Sequence, residues 1–206
     1  MKRTLLKIPR VFDDPTTADD YADRHAKMVK KIGKAFAKRL SNMGFKNGRI
    51  LDAGSGGGEM AIEIAMAFPE AEVVGIDLSE PLVERSQHLA EQKGLSGRVI
   101  FQKADVGQMP FEDDSFDAVV SLDMLHIVED PVTMLNEMER VLKPDGELIS
   151  QNVRRSWIGI LEPIVKSAYT PSEVKDLITQ SNLRPCKYDK SFMWLNFFVE
   201  ESKNLD

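Results

Sequence analysis

The chain of 206 residues is long enough for one full α/β domain with a sizeable core and short for two. Its 42% hydrophobic and 29% charged residues, with a mean hydropathy of -0.27, exclude a fibrous or disordered chain. With 27 basic against 33 acidic residues the formal charge is -6, which disfavours a large contact with a nucleic-acid backbone. No run approaches the roughly 20 apolar residues of a membrane helix. Lys7, Pro9 and Arg10 break up the N-terminal apolar residues that a signal peptide would need. The single cysteine, Cys186, excludes an intrachain disulfide, and no cysteine and histidine cluster offers a zinc site. A buried, inert thiol in a cytoplasmic protein, monomer or homodimer, is the expectation.

Periodicity and punctuation organise the rest, because no internal repeat or low-complexity tract is present. From Thr17 to Met43 the residues Ala22, Ala26, Val29, Ile32, Phe36 and Leu40 recur at spacings of three and four, one face of a long helix, and Gly44 supplies a stop. Arg49–Ala53 is short and apolar like a buried strand, and Met60–Phe68 reads as a helix closed by Pro69. A second strand spans Glu72–Ile76. Ser79 as N-cap and Pro81 in the first turn then open an amphipathic helix to Lys93. Arg98–Gln102 and Phe116–Ser121 are the third and fourth strands. Helical spacing returns over Val132–Leu142, stops at Pro144 and leads into a fifth strand, Glu147–Gln151. Five βα units of this kind imply a parallel sheet covered on both faces. The last quarter differs. Thr170, Pro171, Ser172 and Glu173 form a capping box for a helix to Ser181, followed by two candidate strands, Arg184–Asp189 and Phe192–Glu200, with a tight turn near Lys190. With no helix between them they make a hairpin, so one antiparallel strand is expected at the edge of the sheet.

In open parallel sheets, ligands sit beyond the carboxyl ends of the strands. After the first strand come Gly54, Ser55, Gly56, Gly57 and Gly58, where absent side chains let the backbone approach a ligand and turn into a helix. A dinucleotide site wants glycine at the sixth position of such a run, which here is Glu59, a carboxylate beside a pyrophosphate. The lysine and serine or threonine of a P-loop are missing as well. Asp77 directly follows the second strand, where a carboxylate accepts from both ribose hydroxyls of an adenosine. After the third strand, Asp105 is placed to accept from an adenine amino group, with Ala104 and Val106 as apolar neighbours.

At these residues the sequence resembles the class I S-adenosylmethionine-dependent methyltransferases, particularly the group that includes the ubiquinone/menaquinone-type enzymes. The resemblance covers Arg49 to Gln151 and rests on ILDAGSGGGE, VVGIDLS, ADVGQMPFEDDSFDAVVS, LHIVEDP and EMERVLKPDGELI, in that order. Ser55 stands where a cysteine is frequent, and Asp145 where the Pro-Gly-Gly turn begins its glycines. The resemblance implies one α/β domain over 1–206, a Rossmann-like three-layer sandwich. Its mostly parallel seven-stranded sheet would carry an antiparallel C-terminal strand, with a helical cap (1–48), a cofactor-binding core (49–151) and a short lid, helix and hairpin (152–206). It implies S-adenosylmethionine as cofactor. Asp52, Gly54, Ser55, Gly56 and Gly58 would hold the methionine end, Asp77 and Leu78 the ribose and adenine edge, Ala104, Asp105 and Val106 the adenine, and Ser121 the floor near the sulfonium.

Methyl transfer from a sulfonium needs alignment more than a covalent nucleophile, so no catalytic triad is expected. His126, after the fourth strand, is the candidate base and a candidate substrate contact; structural packing is the competing reading. Tyr21 and Trp157 are further candidate substrate contacts, and Tyr169 lies in the same lid region. His25 and His88 are expected to be solvated, and Arg154 and Arg155 to be surface residues rather than anion ligands. Glu112, Asp113 and Asp114 read as a solvated loop, not a metal site. Ser121, Leu122, Asp123 and Met124 do not form the Asn/Asp-Pro-Pro-Tyr/Phe motif of amino-methylating nucleic-acid enzymes, and a small-molecule methyl acceptor is expected. A non-catalytic adenosylmethionine-binding protein, a nicotinamide-dependent oxidoreductase and an aminopropyl transferase are the alternatives.

Overall fold

The computed structural model describes residues 3–4, 11–156 and 163–199. The first helix, α1 (Pro15–Met43), begins two residues before the periodic stretch, because Pro15 suits a first turn and Asp14 caps it, accepting from the Thr17 amide at 2.8 Å. Gly44 ends it in the left-handed region (φ 114°), its amide donating to the Leu40 and Ser41 carbonyls. There follow β1 (Arg49–Ala53), α2 (Glu59–Ala67), β2 (Glu72–Asp77), α3 (Glu80–Gln92), β3 (Val99–Lys103), β4 (Phe116–Leu122), α4 (Pro131–Val141) and β5 (Leu142–Val153). A short helix α5 (Pro163–Ser167), α6 (Pro171–Gln180) and the strands β6 (Lys187–Lys190) and β7 (Trp194–Val199) complete the described chain. The capping box opening α6 forms as its sequence implies, with both Thr170 and Glu173 bonds present.

The seven strands run in the order β3-β2-β1-β4-β5-β7-β6. Pairs among β1 to β5 are parallel, and β7 is antiparallel to both β5 and β6. The antiparallel strand therefore lies one place in from the edge, inserted between β5 and β6. Two layers of helices cover the sheet. On one face α1, α2 and α3 bring Phe36, Leu40, Met60, Ile64 and Val83 onto Ile50, Val73, Val99 and Val120. On the other, α4 and α6 bring Met134, Leu135, Met138, Val174 and Ile178 onto Leu51, Val74, Val119 and Leu148.

Three details depart from the sequence reading. No helix joins β3 to β4; residues 104–115 form a loop whose Met109 is buried and whose Phe111 packs edge-on to Phe116 at 4.9 Å. Gly107 and Pro110 deny this stretch a helical period. Arg140 of α4 takes the Phe111 and Met109 carbonyls at 2.7 and 3.0 Å and pairs with Asp113 at 2.8 Å. The acidic run Glu112–Asp114 thus closes a loop onto α4. Strand β5 starts at Leu142, five residues ahead of Glu147, because a register shift between Phe116 and Ala118 lets the Lys143–Gly146 stretch stay extended. The hairpin strands begin later than their apolar composition suggests. The Arg184 guanidinium is drawn to Glu139 (2.8 Å) and to the Lys143 and Pro144 carbonyls, which holds the chain off the sheet until Lys187.

Two left-handed glycines separate strain from crowding. Gly44 has nothing near the position of an added Cβ, whereas one on Gly58 (φ 85°) would sit 2.8 Å from the Ser86 Cβ. Gly44→Ala is expected to cost about 1 kcal/mol, backbone strain alone. Gly58→Ala should cost roughly 2–3 kcal/mol, with overpacking added, and urea unfolding midpoints of the two variants will measure the gap.

Candidate active site

The glycine turn between β1 and α2 is stitched to its neighbours through its own backbone. The Gly54 and Ser55 amides donate to the Ile76 carbonyl at 3.0 and 2.8 Å, which ties the turn to the end of β2. From α3, the Ser86 hydroxyl donates to the Gly56 carbonyl and the Arg85 guanidinium to that of Gly57, both at 2.9 Å. Gly54 (φ 84°) also makes room for Met124, whose side chain occupies the place a Cβ would take. The segment after β4 thereby closes directly onto the turn.

The strand ends gather carboxylates. Asp52 is fully buried at the end of β1, and neither carboxylate oxygen has a hydrogen-bond partner of ordinary geometry. Burial, with the charge of Asp77 adding to it, raises its pKa to about 8, against a weaker opposing pull from the Ala61 amide. Asp77 accepts from the Ser79 amide at 2.9 Å and the Gly56 amide at 3.0 Å, yet burial still raises its pKa. The Ser55 hydroxyl is buried and unpartnered as well. Glu59 is different. Its buried carboxylate meets Arg85 at 3.1 Å, and the same guanidinium reaches Asp23 (2.8 Å) and Asp19 (3.4 Å) of α1. It therefore turns into the seam between α1 and α3 rather than toward a phosphate position.

On the nucleoside side, Ala104 and Val106 are buried, and the Ala104 amide donates to the Asp77 carbonyl at 3.1 Å, which fixes the end of β3 against that of β2. Leu78 is 38% exposed at the mouth. Asp105 is exposed, and its Oδ1 accepts from the Gly107 amide at 2.8 Å. Ser121 is fully buried and donates to the Ala53 carbonyl at 3.0 Å, so its hydroxyl joins the ends of β1 and β4. The hydroxyl is thereby committed to the backbone.

Opposite them α1 closes over the strand ends. Ala22 lies against Gly57, and the Ser79 hydroxyl donates to the Phe12 carbonyl at 2.7 Å. Tyr21 stacks between Phe12 (4.7 Å) and His25 (4.6 Å), and its phenol is raised in pKa by burial and by the charges of Asp123 and Asp77. His25 is half-buried and packed on Tyr21 rather than solvated; His88 is exposed. His126 is buried with neither ring nitrogen partnered, and desolvation, aided by the nearby Arg3 charge, lowers its pKa to about 4. Arg3 itself lies over the Tyr169 ring at 3.9 Å and donates to the Ser167 carbonyl. Arg155 is no surface residue, being largely buried and paired with Glu173 at 2.5 Å. Trp157 lies outside the described residues. Among the described residues no group of three His, Cys, Asp or Glu side chains is arranged to hold a metal, and the Cys186 thiol is pushed up to about 12 by burial.

Asp123 is the residue that sequence reasoning passes over. It follows β4, adopts φ 58°, and accepts from the Val153 amide at 2.5 Å; burial raises its pKa to about 7. Its one legible signal is an acid at a strand end, a pattern shared with Asp77 and Asp105.

The Asp52 environment carries a sign that can be tested. The folded pKa lies above the unfolded one, so the folded state holds a proton that the unfolded state has lost from about pH 4 upward. Stability falls as pH rises through that window, and the penalty is complete above about 8. Asp52→Asn should therefore raise the melting temperature of the ligand-free protein at pH 8 by at least ~2–4 °C, the shift that about 1 kcal/mol gives in a chain of this size. The gain should vanish near pH 4 in a thermal-denaturation series.

Comparison with known proteins bears on what this geometry serves. Residues 45–195 match a family model described as a methyltransferase domain. The chain is 34% identical over 145 residues to a ubiquinone/menaquinone biosynthesis C-methyltransferase of Geotalea daltonii, covering 69% of this chain and 61% of that protein. It is 28% identical over 176 residues to a malonyl-[acyl-carrier protein] O-methyltransferase of Legionella pneumophila, covering 85% of this chain and 61% of that one. This chain thus spans about three fifths of the length of these relatives. The fold superimposes on a SAM-dependent methyltransferase from Aquifex aeolicus with a TM-score of 0.72 at 20% identity, over 91% of this chain and 98% of that one. The family match runs unbroken from before the glycine turn to beyond β5, and by it this chain belongs to the class I S-adenosylmethionine-dependent methyltransferases, with S-adenosylmethionine as its cofactor.

Proposed function

We propose that this chain holds S-adenosylmethionine across the ends of β1, β2 and β3 and transfers its methyl group to a small-molecule acceptor lying beneath α1. The observation that carries the reading is Asp52, buried with both oxygens unpartnered among the described residues, near a second, half-buried carboxylate, Asp77. A carboxylate such as that of Asp52 is costly without cationic or hydrogen-bonding company. When bound, the cofactor supplies an ammonium, ribose hydroxyls and a methyl group on a positively charged sulfur with a neutral leaving group. Asp52 and the Ser55 hydroxyl face the methionine end in this reading, and Gly54, Gly56 and Gly58 let the backbone approach it, with the α2 N-terminus toward its carboxylate. Asp77, its two oxygens oriented by the Gly56 and Ser79 amides, accepts from the ribose. Leu78, Ala104 and Val106 cover the adenine, and Asp105 accepts from its amino group.

Tyr21 and the N-terminal part of α1 exclude water from the acceptor. Holding acceptor, carbon and sulfur in line is worth roughly 7–11 kcal/mol in well-oriented intramolecular reactions, enough to make positioning the main contribution of the protein. His126 stays neutral down to about pH 4 and offers the acceptor a hydrogen bond rather than a strong base. Among the described residues no helix is long and apolar enough to cross a membrane, which suits a small acceptor met in the cytoplasm.

Calorimetric titration with S-adenosylhomocysteine tests the reading. Asp77→Ala should weaken binding at least about tenfold, ~1.4 kcal/mol, with the melting temperature of the ligand-free protein preserved. Unchanged affinity would remove Asp77 from the site, and a wild-type protein that binds NADH in place of S-adenosylhomocysteine would sink the function itself. Mass spectrometry of ligands co-purifying with the protein would identify the acceptor.

A further inference from the structure

Resting on that proposed function, the structure carries the chemistry of the acceptor one step further. Asp123 is one residue from Met124, which packs onto Gly54, so it stands beside the turn assigned to the methionine end. Its backbone is held in the left-handed region, unusual for a residue other than glycine, by its amide donating to the Gln151 carbonyl at 2.8 Å. Its Oδ1 is locked by the Val153 amide at 2.5 Å. Both bonds reach the end of β5 and fix the direction of the carboxylate, whose other oxygen has no hydrogen bond among the described residues. No cation pairs with it there either. Burial and, behind it, the charges of Asp123 and Asp77 raise the pKa of the Tyr21 phenol.

We propose that Asp123 faces the transferring methyl group and receives the proton of the acceptor, and that the acceptor is therefore a protic nucleophile, a hydroxyl or an amine. As the lone pair of the acceptor oxygen or nitrogen forms its bond to the methyl carbon, the carbon–sulfur bond breaks and its electron pair stays on sulfur. The hydrogen on the attacking atom passes to the free oxygen of Asp123 and from there to water. No further reactant is consumed. Burial brings this carboxyl to about 7, the range in which a base works near neutral pH, whereas His126 at about 4 is far weaker. Asp123 then takes the role of base, and His126 that of neutral neighbour.

Sinefungin tests the assignment without knowledge of the acceptor, because it replaces the methylated sulfur by a carbon bearing an ammonium. Calorimetry with sinefungin and S-adenosylhomocysteine on the full chain should show a preference for sinefungin of about tenfold or more. Asp123→Asn keeps an oxygen for the Val153 amide and tolerates the left-handed backbone. It should bring the two ligands to parity and leave S-adenosylhomocysteine affinity within about twofold. Asp123→Glu should restore a preference. In the wild type, sinefungin but not S-adenosylhomocysteine should shift the carbon-13 resonance of the Asp123 carboxyl, a readout that holds even where a variant folds poorly. Parity in the wild type, an equal preference in Asp123→Asn, or an unmoved carboxyl resonance would overturn the proposal. A wild-type protein that binds neither ligand would instead overturn the cofactor site on which the proposal rests.

Discussion

The constraint on which the rest of this structure depends is the burial of acidic groups without basic ones at the carboxyl ends of a parallel sheet. Elsewhere in the fold acids are matched: Asp117 with Lys143, Glu139 with Arg184, Glu137 with Arg140, Glu59 with Arg85. At the strand ends Asp52, Asp77 and Asp123 have no such partner among the described residues, and burial raises the pKa of all three. Charge buried without compensation is one of the few large costs a fold can carry. A cationic ligand with hydroxyl groups would relieve it, which is why the proposed binding site is put at the place that burial destabilises.

The parallel topology decides where these acids meet. Strands β1, β2, β3 and β4 all end on one side, and the order β3-β2-β1-β4 places β1 at the point where the chain reverses its direction of winding. The glycine turn is then held rigid by β2 and α3 through its carbonyls and amides, which leaves its concave side for a ligand. α1 is drawn over that side by Arg85, which binds Asp19, Asp23 and the carbonyl of Gly57 in one hand. An arginine on the third helix thus joins the first helix to the turn.

The residues proposed for the cofactor are local in sequence, and that is why they could be picked out there. Asp52, Gly54, Asp77 and Asp105 each lie within two residues of a strand end, and strand ends are marked by apolar runs that stop at glycine or aspartate. The surroundings proposed for the acceptor are not local. Asp123 depends on a left-handed turn by a non-glycine residue, which no periodicity records, and on a bond to Val153 thirty positions away. Arg3 reaches Tyr169 across a far wider gulf, most of the length of the chain, and the unpartnered state of His126 among the described residues follows from what surrounds it rather than from its neighbours in the chain.

By itself, then, the sequence determined the alternation of strands and helices, the capped starts of α3 and α6, the glycine turn and the acids at the ends of β1, β2 and β3, because each is encoded by spacing or by a residue's own backbone preference. Only the tertiary structure decided that Glu59 is neutralised by Arg85 while Asp52 is not, that the β3–β4 connection is a loop clasped by Arg140, that β7 lies inside the edge strand, and that Asp123 is held by the Val153 amide. Those outcomes turn on burial and on which side chains meet across long separations. Burial and distance are properties of the packed chain, and the order of residues does not contain them until the sheet has closed.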